Sequence, residues 1–526
     1  MNTIPPSLIG ASVGLLAHHG LFIHGEWHIH APSILVSHLV GFASLVSMVE
    51  TAGQIILGYL FALFSSIVTY RVVFHRLGHF PGPIWFRTSK IWHVWKARTS
   101  QNHFFLEKVH RKYGDVVRTG PSEVTVFHPD VFMAIDGPSS KCSKAEWYDL
   151  LHPNTGLVTT REKDLHKDRR RRWNRGFTPK ALVQYKNKVH TPISQLDNCI
   201  QSDIASGQVS ELSDLVFWLT FDRMGEFVLG RSFNMLTNQS WHKIILLLQK
   251  AMGLLGPLSP TPWAVQIAFK LMPRVGVLND WFTMTTWCEE QVRKIKMPDD
   301  MSAESPILAH YLKHDTHEAL TGDSISAIVA GSEPTASALV GLFYELAKHP
   351  DQADKICEEV KQQGVDIQDG NSLLRSCPHL EAAIFESLRL YPSIPSAGNR
   401  KTSSTGGTTI GGTYIPPDTT IVAPRFVISR REDCFENASQ FIPERWTTRP
   451  EMVRNKAAFA PFGTGGKSCI GRALAMNDMM LVAAHVISRY KMRFPPGETG
   501  ESVFNDWSDN FTSTLGRLRL VLEMRT

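Results

Sequence analysis

Phe462-Gly-Thr-Gly-Gly-Lys-Ser-Cys-Ile-Gly471 is the stretch whose reading decides the fold. It holds a single cysteine, Cys469, in a turn with glycines at 463, 465, 466 and 471. A helix-periodic segment follows directly, from Arg472 to Tyr490. A thiolate placed there sits at a helix N-terminus, where backbone N–H groups and the helix dipole are expected to lower its pKa. The glycines let the backbone wrap the sulfur and donate to it, and Phe462 offers a ring to a flat ligand. Such a loop presents one soft anionic ligand.

Two plainer readings compete. An inert buried thiol is the default for a lone cysteine. Gly466-Lys467-Ser468 also invites a phosphate-loop reading, but that pattern needs a glycine five residues before Gly466, where the chain has Pro461. Phe, Gly, a basic residue, Cys and Gly at these offsets fit a cysteine ligand to haem iron better.

At 526 residues the chain is long for one core. Its 43% hydrophobic and 20% charged residues describe a globular protein with a membrane piece. The net charge of +6 is mild, and no basic run interleaves with aromatics, so a nucleic-acid partner is not expected. The seven cysteines are scattered, with no Cys-x-x-Cys pair. That argues against a zinc ribbon or a disulfide framework and fits a reducing compartment.

No Lys or Arg precedes Arg71. Three apolar stretches lie before it, about Ile4–Ile23, Pro32–Val49 and Ile55–Phe74, and the third is long enough to cross a bilayer. An N-terminus without basic side chains is not a cleaved signal peptide. Arg71, Arg76, Arg87, Lys90, Lys96 and Arg98 follow, so the positive-inside rule puts the rest of the chain in the cytosol. One to three spans are expected within residues 1–78. Histidines at 18, 19, 24, 28 and 30 have no regular ligand spacing, which disfavours a metal site. Residues 79–83, His-Phe-Pro-Gly-Pro, read as a stiff hinge before a catalytic domain over 84–526. Asp115–Thr119 and Glu123–His128 read as a hairpin.

Glu162–Phe177 is a strongly basic helical segment. A solvated charged face is the plain reading, but His166 and Arg170 share one face and could clamp a propionate. Ile244–Met272, broken by three prolines, reads as buried core or, preferred here, as a roof over a substrate pocket near the lipid surface. Asp323–His349 reads as a long helix with poor helix formers, Gly331 to Thr335, at its middle, which marks a candidate site. Glu386 and Arg389 share a helix face, and Arg445 could complete a buried Glu between two Arg.

Taken together, these residues resemble the cytochrome P-450 monooxygenases from about Pro81 to the C-terminus. Phe462, Gly465, Lys467, Cys469 and Gly471 match that family's haem-ligand signature, with Lys467 where Arg or His is commoner. Glu386-Ser-Leu-Arg389 and Arg445 match its Glu-Arg-Arg cluster. His166, Arg170 and Arg400 fall where the family supplies propionate donors. Ala330, Gly331, Glu333, Pro334 and Thr335 fall on its oxygen-activating helix, with Pro334 where the family has threonine. The anchor and overall pattern look most like fungal members that decorate secondary metabolites.

The resemblance implies a mainly α fold with a minor β portion, preceded by a transmembrane anchor. It implies haem b with Cys469 as axial ligand, and electrons from NADPH through a membrane-bound reductase, with a cytochrome b-type donor as a further option. It implies a small lipophilic substrate and a place in the endoplasmic reticulum membrane with the catalytic domain in the cytosol. The helix carrying Pro334 is expected to open there, leaving the Ala330 carbonyl and Glu333 to relay protons. Arg454, Lys456, Lys467 and Arg472 are expected on the face that meets an acidic reductase. An isomerase or dehydratase that uses no O2, and a haem sensor, are the rival functions. The intact Ala-Gly-x-acid stretch disfavours the first, the roof and anchor the second.

Overall fold

Thr316 begins the helix around which the main body of the chain is packed. Its hydroxyl accepts from the Ala319 N–H at 3.3 Å, and the helix runs unbroken from His317 to Lys348 in the computed structural model, which describes residues 4–186, 190–295, 307, 316–362 and 370–525. The helix starts earlier than Asp323 because Thr316 supplies the cap. Asp323 is buried instead, accepting from the Leu157 N–H and pairing with Arg169, both at 2.5 Å. The helix is apolar enough to cross a membrane, but 72% of its most apolar window is buried, so it is core. It packs against Leu212–Leu229, Val277–Lys294, Pro378–Leu390 and Arg472–Arg489.

Pro334 does not open this helix. The backbone stays helical across it, contrary to the sequence expectation. A proline inside a helix costs about 3 kcal/mol. Every residue from Thr335 to Leu346 is buried, and that apolar burial holds the second half in register. Thr335 Oγ1 donates to the Gly331 carbonyl at 3.0 Å, and Ser393 Oγ to the Pro334 carbonyl at 3.0 Å.

A smaller apolar core lies under a five-stranded sheet, ordered Val116–Gly120, Glu123–Val126, Thr420–Val422, Arg400–Lys401, Ser143–Lys144. The first two strands form the expected hairpin. The roof segment becomes two helices, Lys243–Leu258 and Pro262–Leu271.

The three N-terminal stretches are helices Pro6–Ala17, Ala31–Met48 and Ala52–Thr69, the first and third prolonged by π turns His18–Phe22 and Tyr70–Phe74. Ala31–Met48 and Ala52–Phe74 are long and apolar enough to cross a membrane and are hardly buried. The first helix lies backbone to backbone on the third. A Cβ at Gly10 would fall 2.0 Å from the Ile55 carbonyl oxygen, and one at Gly58 2.2 Å from that of Ser7. Small residues at four-residue spacing, Gly10 and Gly14, allow this approach, as they do between helices in membranes.

The N-terminal helices and the rest of the chain are in contact. Leu77 (0% exposed) and Phe80 (3%) belong to the smaller core, and the Pro81 carbonyl accepts from the Arg118 N–H at 2.7 Å. The turn after the first helix is clasped by charges: Glu26 takes Arg161 at 2.8 and 3.0 Å and Lys401 at 2.7 Å, and His28 meets Asp149 at 2.8 Å. Glu26, His28 and Asp149 converge closely enough to suggest a cation site. Arg161, in contact with both carboxylates, already occupies that role.

Candidate active site

Cys469 is the exposed member of a set of seven free cysteines whose others are all buried. Its loop is closed by its own N–H donating to the Phe462 carbonyl at 2.7 Å. Gly465 holds a φ of +62°, and a Cβ there would lie 2.0 Å from the Asp136 carbonyl oxygen, so no other residue fits the turn. Gly471 caps the helix Arg472–Arg489, and Arg472 lies 5.6 Å over the half-buried Phe462 ring. Desolvation raises the thiol pKa, outweighing the Gly471 N–H, Arg170 and Arg472, which lower it. This reverses the sequence expectation. Burial among protein atoms penalises the thiolate more than the helix end favours it. A sulfur both exposed and desolvated opens on space inside the protein.

Cations crowd this loop. Arg170 Nη1 donates to the Ser468 carbonyl at 2.6 Å. Arg400 donates to both Asp136 oxygens, at 2.7 and 3.0 Å, and to the Tyr148 hydroxyl. Lys467 reaches Asp136 at 3.3 Å and the Cys142 carbonyl at 2.9 Å. It therefore points inward and is not on a partner-docking face, whereas Arg454, Lys456 and Arg472 are exposed. Lys144, which the sequence reading missed, is buried and donates to the carbonyls of Val158 and Thr160 at 2.6 and 2.9 Å. Burial, then Arg400 and Lys467, push its pKa down to about 7. Burial, then Lys144 and Arg170, push that of His166 down to about 4.

Asp136 is the carboxylate that Arg400 and Lys467 share. Such an excess of interior positive charge is costly without counter-charge. It fits a ligand bearing two carboxylates beside a thiol facing interior space. Haem b has both features, its propionates and its iron, so these residues fit it.

On the long helix, Ala330 is exposed between buried neighbours Val329 and Ser332. Gly331 faces the Met224 side chain. Glu333 is buried, and burial pushes its carboxyl up to about 7 despite a hydrogen bond from Thr512. That bond, Thr512 Oγ1 to Glu333 Oε2, joins the helix to strand Thr512–Thr514, far along the sequence. Nothing local in the sequence assigns Thr512 a role. Only the packing of the Ser508–Asn510/Thr512–Thr514 hairpin on the helix brings the two together.

Trp147, Gly256, Pro257, Ser396, Ala397 and Phe511 line one narrow cavity, with the Trp147 and Phe511 rings 5.1 Å apart.

Behind the loop, Glu386 accepts from Arg389 at 2.7 and 2.9 Å, from Arg445 at 2.9 Å, from the Trp446 indole at 2.9 Å and from the Ile442 N–H at 3.1 Å. Glu386 and both arginine side chains are fully buried. Burial raises the Glu386 pKa, but the two arginines and the Ile442 N–H together hold it below the usual carboxylate value.

A family profile described as Cytochrome P450 matches residues 80–519. The chain is 34% identical to cytochrome P450 monooxygenase FCK2 of Fusarium pseudograminearum, covering 98% of this chain and 97% of that protein. It is 31% identical to tryprostatin B 6-hydroxylase of Aspergillus fumigatus, over 98% and 95%. The crystal structure of the cytochrome P450DA heme domain superposes with a TM-score of 0.69 at 16% identity, over 82% of this chain and 95% of that one, a likeness of fold.

Proposed function

The chain belongs to the cytochrome P450 family, a haem-thiolate monooxygenase supplied with electrons from NADPH through a reductase, and on that premise we propose how its residues divide the work. Cys469 would supply the thiolate that holds the haem iron. Arg170, His166 and Arg400 would hold the carboxylates of haem b, and Phe462, Gly465, Lys467 and Gly471 shape the loop around the sulfur. Bound there, the haem supplies O2 activation and oxidation of a substrate C–H bond, which a thiolate ligand favours over reversible O2 binding.

Glu333 and Thr512 form the proton-handling pair. Pro334 has no hydroxyl, and the Thr335 hydroxyl is committed to the Gly331 carbonyl. Thr512 supplies the alcohol from another element. Burial raises the Glu333 pKa to about 7, so near neutral pH one carboxyl oxygen can accept from Thr512 while the other carries or releases a proton. Ala330, exposed beside them, leaves room, and Gly331 admits the Met224 side chain against the helix. The roof helices, Trp147 and Phe511 exclude bulk water and hold the substrate.

The substrate is a mid-sized lipophilic molecule of fungal secondary metabolism, the setting that relatives such as tryprostatin B 6-hydroxylase support. The anchor crosses the endoplasmic reticulum membrane with the catalytic domain in the cytosol. The clasp at Glu26 and His28 supports three spans, since it puts the turn between the first two helices on the catalytic side. An acidic reductase docks near Arg454, Lys456 and Arg472.

The observation that carries the ligand assignment is that Cys469 alone, of seven cysteines, is accessible. Cys469→Ser should abolish the red-shifted Soret band of the ferrous–CO complex, and substitution of the other six should leave it. Survival of that band in Cys469→Ser would remove the assignment.

A further inference from the structure

Between the anchor helices and the catalytic domain lies a chamber of about 760 Å³. Its walls have two characters. One is apolar, contributed by Ile34, Leu39 and Phe42 of the second helix and Leu60, Phe64 and Ile67 of the third. It continues a surface made for lipid, since Phe61 and Phe64 are 76% and 60% exposed. The other wall is polar and lies where the third helix ends and the chain enters the catalytic domain. Arg71, His75, Arg76 and Lys90 line it.

Three carboxylates also line the chamber, and each is committed. Glu26 pairs with Arg161 and Lys401, Glu146 with Lys401, and Glu123 with Lys90 at 2.5 Å. Arg71 and Arg76 differ. Arg71 Nη1 donates to the Thr88 carbonyl at 2.7 Å and Arg76 Nη2 to the Asp418 carbonyl at 3.0 Å, and neither meets a carboxylate among the described residues. Behind them Arg118 is fully buried, donates only to carbonyls and leaves Nη1 without a partner. Burial, then Arg87 and Arg71, depress the Arg118 pKa to about 10. Burial, then Arg118, Arg76 and Arg71, depress that of His75 to about 4, so it stays neutral and can donate or accept. The chamber thus joins an apolar wall to a patch of positive charge that the protein leaves unbalanced.

We propose that this chamber binds one anionic membrane phospholipid, its phosphate on Arg71 and Arg76 and an acyl chain along the wall formed by the second and third helices. The proposal goes beyond the haem site and rests on the membrane-anchor reading. Charge-assisted bonds from two guanidinium groups favour a phosphodiester over a neutral headgroup contact. The lipid also has a reason to be there: the arginines stand at the cytosolic end of a span, the level of the phosphate groups in a leaflet that carries anionic lipids.

The test uses the full-length, haem-loaded protein in neutral detergent and native mass spectrometry with dioleoylphosphatidylserine, dioleoylphosphatidylcholine, glycerophosphoserine or inorganic phosphate. One phosphatidylserine should be retained in preference to phosphatidylcholine. Arg71→Gln with Arg76→Gln should weaken its retention about tenfold or more, as expected for losing charge-assisted contacts, with an unchanged Soret spectrum as the check on folding. Neither glycerophosphoserine nor inorganic phosphate should compete at equal concentration.

Equal retention of the two lipids, undiminished retention in the double variant, or competition by headgroup or phosphate alone would each overturn the proposal. The lipid comparison needs no variant, so it stands even if the double variant misfolds. A chain that fails to enter vesicles of either lipid would sink the anchor reading itself. One that enters both and retains neither lipid would sink only this inference.

Discussion

Glu333 shows how one side chain is tuned by what a distant strand supplies. Its carboxyl, pushed up to about 7 by burial, should be neutral below that pH and charged above it. A buried acid with a raised pKa loses stability as pH rises, here across the range from its ordinary value of 4.5 to about 7. Glu333→Gln should therefore flatten the fall in thermal stability between pH 4.5 and about 7 while raising the peroxide released per NADPH consumed. Thr512→Val should also raise that peroxide ratio, because it removes the hydroxyl donor from Glu333. If Thr512→Val leaves coupling and its pH dependence unchanged, the hydrogen bond is only a structural tie. The Cys469 thiol teaches a related lesson: a helix N-terminus lowers a pKa only where desolvation does not exceed it.

At the level of elements, the helix Pro378–Leu390 and the 3-10 turn Pro443–Trp446 are fastened by Glu386, and the cysteine loop lies downstream of that fastening. Removing Glu386 leaves Arg389 and Arg445 buried with no carboxylate, a loss of about 3–5 kcal/mol. Glu386→Ala should give little haem-loaded protein on purification, and a normal haem content would show that the carbonyls around both arginines suffice. Because the Glu386 pKa is depressed, the stability it provides should be lost as pH falls from the ordinary carboxylate range through its lower folded value.

The long helix gives a second prediction. Since it remains continuous across Pro334, and the hydroxyl comes from Thr512, Pro334→Ala should raise the melting temperature and leave the peroxide ratio alone. An uncoupled Pro334→Ala would instead tie the proline's backbone geometry to oxygen activation.

For the whole molecule, the segment that follows the N-terminal helices is packed into the rest of the fold. Leu77 is fully buried in the smaller core, and the Arg71 carbonyl accepts from Arg118 at 2.9 Å. A chain lacking residues 1–69 keeps both, whereas one lacking 1–78 loses both. The longer deletion should be less stable by about 2–5 kcal/mol, the usual range for losing a buried leucine; equal melting temperatures would place the boundary where the sequence puts it, after residue 78. The clasp at Glu26 is the other tie. Burial opposes its ionisation, but Arg161 and Lys401 outweigh burial and hold its pKa at about 2. Its contribution is therefore fully present above the ordinary carboxylate range and is lost progressively as pH falls from 4.5 to about 2. Glu26→Gln should increase hydrogen exchange in residues 23–30 at neutral pH.

Local chemistry was legible in the sequence wherever neighbours in the chain are neighbours in space. The cysteine loop, the Glu386/Arg389 pair, the hairpin at Gly120 and the apolar anchor stretches all follow from spacing and composition, because a turn or one helix face sets their geometry. Arg400 needed the family resemblance, since nothing local says what it reaches. Thr512 beside Glu333, Lys144 among the cations, Lys467 turned inward and Arg161 on Glu26 were decided only by tertiary structure. Each lies far along the chain from its partner, and packing sets those distances. The raised Cys469 pKa and the unbroken helix at Pro334 have the same origin. Desolvation and core burial depend on the whole surroundings of a residue, and there they outweigh the helix end and the proline that the sequence displays.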